Sequence, residues 1–98
     1  TGDTVKVKSS ASADKSITIR VEGFLDSART IIGYENIDTN STNGTTAVAG
    51  TTTFYELTHV SKDADTTGYI SITNSSNTTI GTLEQNQRVA RPALSERP

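Results

Sequence analysis

The chain has no cysteine, no methionine and no tryptophan, and only two of its 98 residues are proline. Without cysteine there can be no disulfide framework and no thiolate metal site, and the redox compartment stays open. One histidine, His59, is too few for the usual imidazole metal sites, which take more than one His or Cys. Aromatic residues are limited to two Phe and three Tyr, which leaves little material for a stacking platform. No apolar run approaches the roughly 20 residues that a membrane-spanning helix needs, and no signal peptide is visible. Charge of one sign is also missing. Nine basic residues against eleven acidic give a net charge of −2, which argues against nucleic acid as a main partner. The chain begins at Thr1 without methionine, as a processed product or an excerpt would.

What is present is threonine and serine, eighteen and eleven residues. Threonine is β-branched and suits a pleated surface with one wet face. Only twenty-three residues are Val, Ile, Leu, Phe or Tyr, so the expected core is thin, and contacts between subunits are an expected further source of stability.

Period-2 alternation places the strands. "TVKVK" (4–8) puts Val5 and Val7 on one face, and "SITIRVE" (16–22) turns Ile17, Ile19 and Val21 inward with Thr18, Arg20 and Glu22 outward. After a connection at "FLDSA" (24–28), "RTIIGYENIDT" (29–39) has apolar residues in both phases, with Ile32 and Tyr34 on one face and Ile31 and Ile37 on the other. Gly33 in its middle suggests a bulge or a close backbone approach. Asn43-Gly44 is a strong hairpin signal, leading to a brief strand around 46–49. "TTTFYELTHV" (51–60) spaces Phe54, Leu57 and Val60 by three, as a helix would. The threonine-rich flanks and short length favour a strand instead, with one extra residue that switches faces after Phe54 and leaves Leu57 and His59 in one phase. "SKDADTTG" (61–68) reads as a turn, "YISITN" (69–74) as a strand with Ile70 and Ile72 inward, and "TTIGTLE" (78–84) as the next strand, carrying Ile80 and Leu83.

From Gln85 the character changes. "QNQRVARPALSERP" holds three arginines, both prolines and few core residues. The expected organisation is therefore a domain over 1–84 and an extended arm or linker over 85–98, with an edge strand available at 88–91. About seven or eight short strands with turns every 8–12 residues imply an all-β fold, an antiparallel β-sandwich of the Ig-like or jelly-roll-like kind.

No constellation points to catalysis or to a cofactor. His59 lacks an obvious serine and acid for triad chemistry, and no G-x-S-x-G motif is present. "DADTTG" (63–68) spaces two acids as calcium loops do but lacks the later ligands, so a turn is the better reading and no metal is expected. Four N-x-S/T sites, at Asn40, Asn43, Asn74 and Asn77, come in crowded pairs and read as turn chemistry. Tyr34, Tyr55 and Tyr69 could serve a carbohydrate-binding module, against packing at the sheet rim. Enzyme activity is not expected.

The order of these pieces, "TVKVKSSASAD", "SITIRVEG" and "GYENIDTNSTNGTTAVAGTTTFYELTHVSKDADTTGYISITNSSNTTIGTL", resembles a recurring module of tailed-bacteriophage and prophage structural proteins. The matching positions include Ile17, Ile19, Val21, Gly23, Glu35, Ile37, Asn43 to Val48, Phe54, Leu57, Val60, Gly68, Ile70, Ile72, Ile80 and Leu83. The resemblance covers about residues 4–83. It departs at "GFLDSARTII", in the longer "DTNSTNG", and at the ending. What it implies is a non-enzymatic virion protein: capsid decoration, head-to-tail connection or tail component. Its partners would be capsid or other virion proteins and further copies of itself, with no nucleic acid and no membrane. The arm, through Arg88, Val89, Arg91, Pro92 and Leu94, would carry assembly contacts. The competing expectation is an Ig-like spacer or carbohydrate-binding module of a bacterial cell surface.

Overall fold

The computed structural model describes residues 2–90. In chain order the strands are β1 (Val5–Ser9), β2 (Thr18–Phe24), β3 (Ile32–Asp38), β4 (Val48–Ala49), β5 (Glu56–Lys62), β6 (Ile70–Asn74), β7 (Thr79–Leu83) and β8 (Val89–Ala90). They make two four-stranded sheets, ordered β4-β1-β6-β7 and β3-β2-β5-β8, packed as a sandwich. Every strand pairing is antiparallel. β1 pairs with β6 in one sheet while β2 pairs with β5 in the other. The two crossing connections are thus nested one inside the other, the jelly-roll manner of wrapping a sandwich.

Alternation sets the core. Val5, Val7, Ile70, Ile72 and Leu83 point in from the first sheet, and Ile19, Val21, Ile37, Leu57 and Val60 from the second. Phe54, fully buried, sits just before β5, where it bridges to Asp3. Ile17, Val48, Ile80 and Ala90 close the margins.

Three local expectations are corrected. Asn43-Gly44 does not turn a hairpin, because β3 and β4 lie in different sheets. It turns the chain across the sandwich instead: Gly44 accepts from Ser9 N and donates to Ser12 O, and a Cβ there would collide with the carbonyl oxygens of Asp14 and Ala11. The extra residue in β5 is Thr58. Glu22 pairs with His59 and Gly23 with Leu57, so Leu57 and Val60 share the inward face while His59 turns outward, out of phase with Leu57. The facing residue is glycine because a Cβ on Gly23 would strike the Glu56 carbonyl. Gly33, in contrast, sits in a ladder that runs without a break from Phe24↔Ile32 to Thr18↔Asp38; its missing Cβ makes room for the Leu25 side chain.

At the end of the second sheet where Ile19 faces Lys62, polar side chains are buried. Asp14 Oδ2 accepts from Ser9 Oγ at 2.6 Å and Gly68 N at 2.9 Å, and its Oδ1 accepts from Thr67 N at 2.7 Å. Burial pushes the Asp14 carboxyl up, but the hydrogen bonds from Ser9, Gly68 and Thr67 outweigh it and hold the group below the usual range. The ammonium of Lys62, 5 % exposed, donates to Thr66 Oγ1 at 2.7 Å and to the carbonyls of Glu84 and Gln85. Burial lowers its pKa.

Candidate interaction surface

The other end of the same sheet is the β2–β3 hairpin. Its loop is held by Asp26, whose carboxylate accepts from Thr30 N, Thr30 Oγ1 and Ile31 N. Arg29 takes a left-handed φ of 59° there, and its Nε donates to Glu56 Oε1 at 2.6 Å, tying the loop to β5. The hairpin itself is rigidly built, yet its large apolar residues face water. Ile31 is 56 % exposed, Ile32 64 %, Tyr34 54 % and Leu25 36 %. Scattered exposed apolar residues are ordinary, but this hairpin carries Ile32 and Tyr34 side by side on its outer face and Leu25 and Ile31 on the other, a concentration of the kind that marks an interaction site.

β3 is also an edge strand, with β2 as its ladder partner. Leu25 N donates to Ile31 O and Thr39 N donates to Ile17 O, which fixes the phase: the odd-numbered residues of β3 bond to β2. The N–H and C=O groups of Ile32, Tyr34, Asn36 and Asp38 therefore point away from the sheet. Sheet edges are usually blunted by shortness, bulges, lysine or proline. β4 and β8 are two residues long, and β7 carries an irregularity opposite Ile72/Thr73. β3 is seven residues long, regular, and has neither lysine nor proline. Near its far half, Glu35 accepts from the amides of Thr51 and Thr52, so a neighbouring segment is pinned beside Glu35. Burial raises the Glu35 carboxyl, but those amide bonds prevail and leave it below its ordinary value. Among the described residues, no backbone hydrogen bond from another segment reaches Ile32 or Tyr34.

On the outer face beside this edge, the Arg20 guanidinium lies 3.7 Å from the Tyr34 ring centroid, and its Nε meets Glu22 at 2.8 Å. His59 Nε2 reaches the second Glu22 oxygen at 2.8 Å, and His59 Nδ1 is 3.3 Å from Thr58 Oγ1. The Thr58 hydroxyl also lies 3.2 Å from the Glu22 carbonyl. The single histidine thus sits in a cross-strand polar cluster, with no serine among these contacts. Asp63 and Asp65 diverge: Asp63 accepts from Thr18 N, and Asp65 from Arg88 Nε. Among the described residues, no three His, Cys, Asp or Glu side chains converge on one point. The three tyrosines sit on different elements, Tyr34 in β3, Tyr55 just before β5 and Tyr69 just before β6.

Of the arm residues, Arg88 and Val89 are described. The Arg88 carbonyl accepts from Lys62 N at 3.0 Å, and Val89 pairs with Ser61 as β8 extends the second sheet; its side chain stays 56 % exposed. Arg91, Pro92 and Leu94 lie outside the described residues. Sequence reasoning noticed the two-phase apolar pattern of 29–39 but did not single out Ile31, Ile32 and Tyr34 as a surface. The usable signal was that both phases cannot be buried in a strand at the edge of a two-layer sandwich. Compared with known proteins, the chain matches no family model, no curated protein and no solved structure.

Proposed function

We propose that this chain is a structural module of a tailed-phage virion, a non-enzyme that acts through contacts with neighbouring subunits. The observation that carries the contact-based reading is the β3 edge: regular, and flanked at its 32–34 half by exposed Ile31, Ile32 and Tyr34. Such an edge is a template for another strand, and a module that works in an array puts that property to use. The virion assignment is supported by the resemblance over about residues 4–83. The direct test mixes the isolated chain with purified tailed-phage particles and empty capsids and sediments them. Saturable co-sedimentation with heads or tails is the expected result. Failure to bind across a panel of such particles would remove the virion assignment.

A further inference from the structure

We infer that the occupant of the β3 edge is β3 of a second copy of this chain, paired antiparallel about a two-fold axis at Gly33. The inference rests on the contact-based part of the reading above and specifies its partner. An antiparallel edge is self-complementary in its backbone groups, so an isologous pair would join the two four-stranded sheets into one of eight strands.

Register follows from the side chains. With the dyad at Gly33, Ile32 of each copy lies opposite Tyr34 of the other, a β-branched residue against an aromatic, which is a favourable cross-strand pair. Gly33 meets Gly33 with no side chain between them, and Leu25, which fills the space over Gly33, comes to the centre from both copies. Within β3 the overlap is residues 32–34, and Glu35 of each copy comes opposite Ile31 of the other. A dyad at Glu35 would place Glu35 against Glu35 and Ile32 against Asp38, and would press on residues 51–52 where Glu35 holds them. The Gly33 register keeps the joint at the uncovered end.

The test is sedimentation velocity of the whole 98-residue chain from about 1 μM to about 1 mM, the range of a weak specific dimer. A reversible monomer–dimer equilibrium is expected. It should vanish in Ile32→Lys, which charges the patch, and in Tyr34→Pro, which removes an outward-pointing N–H that β2 does not use. Thermal melting of each variant monomer verifies that it is folded, and Ile32→Lys answers the question alone if the proline variant fails to fold. Register is read by oxidising chains carrying Ile32→Cys mixed with chains carrying Tyr34→Cys. Mixed 32–34 disulfide dimers should dominate over 34–34 dimers. A chain that stays monomeric throughout the range, or a dimer indifferent to Ile32→Lys, overturns the inference; dominant 34–34 cross-links overturn the register. A dimer that behaves as expected while virion binding fails leaves the inference standing and removes only the virion assignment.

Discussion

The two ends of the second sheet are built on opposite plans. At the Lys62 end, charged and polar groups are buried and satisfied: three oxygens receive the ammonium, and three donors surround the Asp14 carboxylate. At the hairpin end, apolar groups are exposed. A buried polar group is stabilising only while each partner is present, and removing one leaves the others unsatisfied. An exposed apolar group contributes little to the fold of the isolated chain and is available to a partner. Stability should therefore be concentrated at one end and association at the other.

The largest effect on folding is expected from Lys62→Met, which strands two carbonyls and a hydroxyl in a dry site: a loss of about 3 kcal/mol, read from urea denaturation. Asp14→Asn keeps the shape but replaces an accepting oxygen with an NH2 donor that faces other donors, at a loss of about 2 kcal/mol. Acid probes Asp14 at the Lys62 end together with Glu35 in the middle of β3. The Asp14 and Glu35 carboxyls ionise more readily in the folded chain than in the unfolded one. Their contribution is complete above the unfolded carboxylate range near pH 4 and is lost as pH falls through the lower folded values. The urea midpoint should drop below about pH 4, less steeply in the Asp14→Asn variant. His59→Ala, which removes a half-exposed partner of Glu22, should cost no more than about 0.5 kcal/mol by the same measurement. Ile32→Ser should leave thermal stability within about 0.5 kcal/mol of the parent, as surface changes do. A large destabilisation there, or a negligible one at Lys62, would break the contrast between the ends.

The apolar skeleton was legible because burial imposes a period. Val5, Val7, Ile19, Val21, Ile70 and Ile72 alternate in the sequence and all are buried. Where a chain position depends on distant partners, the period gave no warning. Lys62 reads as the start of a polar turn, and nothing local announces that it meets the carbonyls at 84–85. Thr39 is buried because its hydroxyl bridges Asp14 O and Ile17 N, again from far along the chain. The Leu57–Val60 spacing does reflect a strand with an extra residue, but the residue is Thr58, inside the strand, since the accommodating Gly23 lies on its neighbour. Asn43-Gly44 supplied turn chemistry without specifying which sheets it would join. The edge was legible in part: apolar residues in both phases of 29–39 were visible, and their exposure followed only once β3 was known to be outermost.

The nested pairing also has a kinetic side. Val7 finds Ile72 and Val21 finds Val60 only after long loops close, a slow kind of search. The β2–β3 hairpin is local, with seven paired positions, and can form well before those closures. Until β5 arrives, both of its edges lie open and its apolar residues have nowhere to go. Refolding at high protein concentration should therefore lose material to aggregation through this hairpin, and dilution should recover it.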